Sequence, residues 1–260
     1  MTFLDNLFGV SGKRVLVTGG SRGIGLAIAE GYVRAGAKVY LCSRKAGDCA
    51  AAEEQLGELG ECHAFPADIS TAEGRAALIA ELTGHEDALD VLVNNAGALW
   101  AAPLADYPES GWDKVYDLNV KAVFFLIQGL LPLLERAATP DDPARVINVG
   151  SVNALAIPPH ETYAYVSSKA ALHHLTRHLA GQLADRHITA NVLAPGLYPS
   201  KLLQNDIATK GEEAVTGRVP LGRLSAMEDM AGAALYLSSR AGSFLTGAVI
   251  PVDGGMATTV

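Results

Sequence analysis

Residues 13–35 constrain the fold more tightly than any other stretch. The run K-R-V-L-V-T (13–18) is apolar and β-branched, and it passes without a linker into G-G-S-R-G-I-G (19–25) and a helical pattern through Ala35. A strand apolar at consecutive positions is covered on both faces, as in a parallel sheet. Glycines at 19, 23 and 25 permit a tight turn, close backbone approach to a pyrophosphate, and close packing of helix on strand. The helix offers its N-terminal N–H groups and positive dipole end at the same place.

The pattern recurs along the chain. Six more apolar runs (Lys38–Leu41, Cys62–Pro66, 89–93, Val146–Val149, Ile188–Leu193 and Ala248–Val252) alternate with helical segments near 47–59, from Thr71, 110–137, 163–185 and 227–238. No linker, repeat or low-complexity stretch interrupts them. The expected class is α/β: one doubly wound Rossmann-type domain over 1–260, about seven parallel strands flanked by helices on both faces. Residues 197–225, irregular and punctuated by Gly211, Gly217, Pro220 and Gly222, read as a substrate lid.

In such a sheet, ligands gather at the carboxyl ends of the strands. The second run ends in C-S-R-K (42–45), with no acid to hold a ribose 2′-hydroxyl; Ser43, Arg44 and Lys45, with Arg22 nearby, suit a 2′-phosphate and hence NADPH. Asp68 ends the third run, where it meets an adenine or caps the next helix. N-N-A-G (94–97) ends the fourth, its asparagines bridging strands or touching cofactor and Gly97 allowing close approach. Asn119, unfavourable inside a helix, is expected to hold structure or a water beside the site. Pro195 and Gly196 end the sixth run.

The segment Arg145–Lys169 carries the chemistry. It places Ser151 at a strand's end and, after a loop with Pro158 and Pro159, Tyr165 and Lys169 on a helix. Their i, i+4 spacing sets them about 40° apart on one face, where an ammonium favours ionisation of the phenol. With the Ser151 hydroxyl this is equipment for moving a proton on or off a carbonyl or alcohol. The Tyr-x-x-x-Lys pair alone is weak evidence, since chance supplies about a quarter of a match in such a chain. Tyr163, about 240° away from Lys169, is assigned to packing or the pocket wall. His174 and His178 are also i, i+4, but without an accompanying ligand motif they suit packing or a subunit interface better than a metal, so no metal is expected.

Composition excludes several classes. A net charge of −8, with no Lys or Arg block, argues against nucleic acid and anionic membranes as partners. The longest apolar stretch, Ala122–Leu134, is short for a membrane span and contains Gln128 and Pro132. The N-terminus lacks a basic signal-peptide region, and Cys42, Cys49 and Cys62 read as reduced thiols, so a cytoplasmic location is expected.

Taken in order, T-G-G-S-R-G-I-G (18–25), N-N-A-G (94–97), Asn119, Ser151, Y-V-S-S-K (165–169), P-G (195–196) and D-G-G (253–255) resemble the short-chain dehydrogenase/reductase family over essentially the whole chain. Within it the chain is similar to 3-oxoacyl-[acyl-carrier-protein] reductases, and among these to the type associated with rhamnolipid biosynthesis. The resemblance implies a catalytic set: Tyr165 as general acid, Lys169 lowering its pKa and holding the nicotinamide ribose, Ser151 orienting the carbonyl, and Asn119 holding a water. It implies a cofactor site of Gly19, Ser21, Arg22, Gly23, Ile24, Gly25, Ser43, Arg44, Asp68, Ile69, Asn95, Ala96, Gly97, Tyr165, Lys169, Pro195, Gly196 and Ser200. The loop from Ser151 to Tyr165 is one residue longer than the commonest family spacing, which alters pocket shape.

Trp100, Asn153, Leu155 and Tyr198 are expected at the substrate, with Leu99, Ile157, Leu197 and Leu202 in an apolar wall that suits a hydrophobic ketone. The expected activity is NADPH-dependent reduction of a 3-oxoacyl thioester or β-keto ester, as a small molecule or a carrier-bound acyl chain, in a homo-oligomer (dimer or tetramer). The alternatives are an NAD(P)-dependent alcohol or sugar-acid dehydrogenase and a non-catalytic cofactor-binding sensor.

Overall fold

Among the described residues the seven apolar runs form one parallel sheet: β1 (Arg14–Thr18), β2 (Lys38–Ser43), β3 (Cys62–Pro66), β4 (Val91–Asn94), β5 (Ala144–Val149), β6 (Ile188–Pro195) and β7 (Val249–Val252). The computed structural model describes residues 2–199 and 201–259, apart from the side chains of Lys201, Leu202, Asn205, Asp206 and Lys210. The order is β3-β2-β1-β4-β5-β6-β7, every neighbouring pair parallel. Connections from β1 run outward to β3, and those from β4 run outward to β7. The crevice between β1 and β4 is therefore the switch point of the topology.

Strand periodicity is visible in what each residue packs against. Leu16, Tyr40, Leu92 and Val146 face one core, whereas Val15, Val17, Val39, Leu41, Val91, Val93 and Ile147 face the other. Both faces are covered, which is why these runs show no polar alternation. The helices are α1 (Phe3–Phe8), α2 (Gly23–Arg34), α3 (Ala46–Gly57), α4 (Ala72–His85), α5 (Glu109–Tyr116), α6 (Ala122–Ala137), α7 (Tyr163–Leu183), α8 (Lys201–Lys210), α9 (Glu212–Thr216) and α10 (Met227–Ser238). Residues from α4, α6 and α7 fill the first core, and those from α2, α3 and α10 the second.

Three details depart from the sequence expectations. A first helix, α1, is closed by a reciprocal cap between Thr2 and Asp5. The long helix is not uniform: a π-helical turn, Asp117–Lys121, joins α5 to α6. Residues 197–225 hold two short helices, α8 and α9. The continuous run Glu109–Ala137 is long and apolar enough to cross a membrane, longer than its most apolar stretch suggests. Its Leu126, Ile127, Leu130, Leu133 and Leu134 pack in the core beside β4 and β5.

A buried polar chain fixes α7 against the sheet. Asn94 Nδ2 donates to Asn148 Oδ1 (2.8 Å), Asn148 Nδ2 to Thr176 Oγ1 (2.9 Å), and Thr176 to the Leu172 carbonyl (2.7 Å). Replacing Asn148 by Leu strands partners on both sides, at a cost of about 1–3 kcal/mol. Thermal unfolding of Asn148→Leu is expected to fall by roughly 2–4 °C per kcal/mol lost. A melting temperature equal to the parent's would show that the chain contributes nothing.

Candidate active site

The glycine turn after β1 folds as its composition predicts. Gly19 and Gly23 have φ of +65° and +57°, the left-handed region that glycine enters freely. At Gly25 a Cβ would run into the Gly19 carbonyl and Asn95 Nδ2, so only hydrogen fits. Arg22 precedes α2 with no side chain capping the helix, leaving its first N–H groups facing outward. These groups open onto a groove of about 500 Å³ that also takes in Ser21, Ile24, Ser43, Arg44, Asp68, Ile69, Asn95, Ala96, Gly97 and Gly196. A dinucleotide fits this cradle: uncapped helix N–H groups for its phosphates, cations at one end, and glycines where backbone must come close.

Side chains at the strand ends hold the groove's floor. Thr18 Oγ1 accepts from the Asn95 and Ala96 N–H groups, both at 3.0 Å, and Asn95 Nδ2 donates to the Thr18 carbonyl at 2.9 Å and the Gly19 carbonyl at 3.2 Å. Asn94 bridges strands β4 and β5, and Asn95 lines the groove. Thr71, not Asp68, caps α4. Asp68 instead accepts from Ser70 and lines the groove.

A second cavity, about 480 Å³, adjoins the groove and shares Ile24, Asn95, Gly97, Gly196 and Tyr198 with it. Ser151, Asn153, Tyr165, Lys169 and Pro195 all line it. Ser151 sits where β5 ends in a short 3-10 turn, its hydroxyl accepting from the Asn153 N–H at 3.1 Å. It also acts on the Tyr165 phenol, favouring the ionised form. Lys169 is 4% exposed; its Nζ donates to the Val149 carbonyl at 2.7 Å and lies 5.8 Å from the Tyr165 ring centre.

Burial sets the protonation states. The Tyr165 phenol is pushed above its ordinary value by desolvation, against which Ser151 works. Lys169 is pushed down to about 8 by desolvation. The expected lowering of the phenol by the ammonium is therefore not what the protein alone displays: withdrawal from water dominates both groups.

Asn119 lies in the π-helical turn, a form enriched at functional sites. Its side chain is held by protein, accepting from the Ala98 N–H (2.8 Å) and donating to the Ala98 carbonyl (2.9 Å) and Ser168 (3.0 Å). It thus pins the segment after β4 to α7.

Two residues assigned to substrate do not reach the cavity. Trp100 packs flat on Gly111 with Lys114 5.1 Å over its ring, so α5 has claimed it. Leu155 is 43% exposed, turned out by the 3-10 turn, and Ile157 points into solvent after it. Leu99, Leu197, Asn153 and Tyr198 do line the cavity. Ser200 lies outside the described residues, as does the side chain of Leu202. Tyr163 is directed to Glu161, and His174 and His178 are exposed.

Other residues went unnoticed in the sequence. His173, one turn beyond Lys169, is buried against Gly150 and accepts from the Ser151 N–H at 3.4 Å; burial, then Lys169 and Arg177, push it down to about 4, so it stays a neutral acceptor. Only the i, i+4 continuation from Tyr165 and Lys169 signals it. Asp48 joins the groove, and Arg218 and Met256 the cavity.

A dinucleotide cradle opening directly onto a cavity with a hydroxyl, a phenol and an ammonium is the arrangement that dinucleotide-dependent oxidoreductases need, and this protein is of that class. Residues 19–257 match the family model described as enoyl-(acyl carrier protein) reductase. A rhamnolipids biosynthesis 3-oxoacyl-[acyl-carrier-protein] reductase of Pseudomonas aeruginosa is 48% identical over 95% of this chain and 97% of its own. Gluconate 5-dehydrogenase of Gluconobacter oxydans is 33% identical over 98% of each. The solved Pseudomonas aeruginosa RhlG/NADP active-site complex superposes with a TM-score of 0.93 at 48% identity, covering 97% of this chain and 99% of that one. The chain belongs to the short-chain dehydrogenase/reductase family.

Keeping Lys169 charged in this setting costs stability. Its folded pKa of about 8 lies below the ordinary 10.5, so the unfolded chain binds the extra proton between those values, and stability from this group rises with pH across that window. Below pH 8 the full penalty, about 3 kcal/mol, applies. Lys169→Met is expected to melt higher than the parent near pH 7 in the absence of cofactor, the gap closing towards pH 10.5. Calorimetry across pH checks this, and a variant that melts lower at pH 7 refutes the assignment.

Proposed function

We propose that the protein is an NADPH-dependent carbonyl reductase acting on a hydrophobic ketone, a 3-oxoacyl thioester or β-keto ester. The observation that carries the reading is the meeting of Ser151, Tyr165 and Lys169 in a largely apolar cavity open to the dinucleotide groove. Bound in that groove, the nicotinamide supplies the hydride. Tyr165, held protonated by burial, donates its proton to the carbonyl oxygen, and Ser151 orients that oxygen. Lys169 holds the nicotinamide ribose and favours the phenolate once the proton has left. Asn119 acts by fixing the segment after β4 rather than by reaching the carbonyl, and the wider turn it occupies is where we place a relay water.

Preference for NADPH is supported by Arg22, Ser43, Arg44 and Lys45 in the groove lining, three cations against the two acids Asp48 and Asp68. The relative of 48% identity and the RhlG complex with NADP agree with it. A dehydrogenase acting on a sugar acid is the second reading, favoured by the Gluconobacter relative; the apolar walls Leu99, Leu197, Leu203 and Met256 disfavour it. The intact Ser151, Tyr165 and Lys169 disfavour a sensor without turnover. Residues 197–225 act as the lid: Ser225 ties back to the Leu197 carbonyl through both its N–H (3.0 Å) and its hydroxyl (2.9 Å), closing the segment's base. Phe124 and Phe125 stand exposed on α6, and we place a subunit interface of a dimer or tetramer there. Three free cysteines fit a cytoplasmic setting.

Initial rates with NADPH and NADH against 3-oxoacyl thioesters, β-keto esters, aromatic ketones and sugar acids test the reading. NADPH turnover on the apolar ketones is expected, falling at least about 100-fold in Tyr165→Phe, the usual scale for a lost general acid. Turnover confined to sugar acids with NADH, or undiminished in Tyr165→Phe, defeats it.

A further inference from the structure

The cavity carries a charge pattern opposite to that of the chain around it. The protein has 28 acidic against 20 basic side chains, yet among the described residues no Asp or Glu lines this cavity. Its lining cations are Lys169 and Arg218. Lys169 is engaged with the Val149 carbonyl beneath Tyr165. Arg218, just past α9, is exposed and has no ion-pair or hydrogen-bond partner among the described residues. Its neighbour Arg223 is in the opposite condition, paired through both nitrogens with Asp229 at 2.6 and 3.0 Å.

An unpaired guanidinium on the wall of a cavity whose lining also includes the apolar Pro158, Pro159, Leu203 and Met256 matches one ligand chemistry, a planar or tetrahedral oxyanion attached to an apolar body. Its attraction is not offset by a carboxylate among the described residues of the cavity lining. We propose that Arg218 is a specificity-determining residue that binds an anionic group of the substrate, a carboxylate or a phosphate, while the carbonyl lies at Ser151 and Tyr165. The proposal rests on the reductase reading for the second half of that statement. Two sources supply such an anion: the carboxylate of a free keto acid, or the 4′-phosphate of a pantetheine arm bearing the acyl chain.

The first arm of the test is binding, so it does not depend on turnover. Octanoate and octanamide share an apolar tail and differ in charge. Titrated calorimetrically into the NADPH-loaded protein, octanoate is expected to bind at least about tenfold tighter, a difference of about 1.4 kcal/mol. Arg218→Ala should abolish that advantage and Arg218→Lys retain part of it, with melting temperatures confirming that both fold. A second arm compares kcat/KM for a 3-oxooctanoyl pantetheine thioester with and without its 4′-phosphate. An Arg218-dependent preference in the first arm assigns the carboxylate, and in the second the phosphate. No preference in either arm, or one that survives Arg218→Ala, overturns the proposal. Undiminished turnover in Tyr165→Phe would instead sink the reductase reading and leave the binding result to judge Arg218.

Discussion

The burial of Lys169 is the constraint on which the rest of the site depends. An ammonium withdrawn from water is costly unless charge partners or hydrogen bonds replace its hydration. Here one carbonyl, that of Val149 at the end of β5, provides the contact the structure shows. The lysine can reach it only if α7 lies tight against the sheet. Asn148 and Thr176 bond across that interface, and Asn119 reaches from the π-helical turn to Ser168. The buried polar groups around the cavity are thus a frame for one cation.

That frame also explains why Tyr165 and Lys169 titrate as they do in the protein alone. Desolvation raises the phenol and lowers the amine to about 8, so below that pH the phenol keeps its proton while the lysine stays charged at a reduced margin. A phenol that holds its proton is the correct starting state for donating to a carbonyl, and it gains most from a nearby cation at the moment the proton departs. His173 adds no competing charge, because its imidazole is buried and kept neutral beneath Ser151.

Much of this was legible in the sequence because parallel strands and glycine turns leave local marks. A strand covered on both faces is a run of apolar residues, and a backbone position with no room for Cβ is a glycine. All seven strands lay where those marks put them, with ends displaced by at most two residues, and the groove gathered Gly19, Arg22, Arg44, Asp68 and Asn95 as expected. Side-chain direction in loops leaves no such mark. Trp100 follows an N-N-A-G turn and looks like a pocket wall, yet Gly111, eleven positions on, offers the flat seat that captures its ring. Leu155 is turned outward by a 3-10 turn that only the three-dimensional path from Ser151 specifies. The π-helical turn was hidden for a related reason: one inserted residue in a helix shifts register without altering composition.

Electrostatics was the least legible property, because net charge is a sum and a cavity is a selection from it. A chain of net charge −8 gave reason to exclude anionic macromolecules, and the lid offered no basic cluster. Folding nevertheless brings Arg218 to the wall that also holds Lys169, with no carboxylate among the described lining residues. A cavity walled by apolar groups concentrates the field of those few charges, whereas the acidic surface acts through water and salt. Acidity of the whole therefore repels anionic polymers at long range without preventing a small anionic substrate from being held at short range. The distinction separates what the protein avoids from what its cavity is shaped to accept.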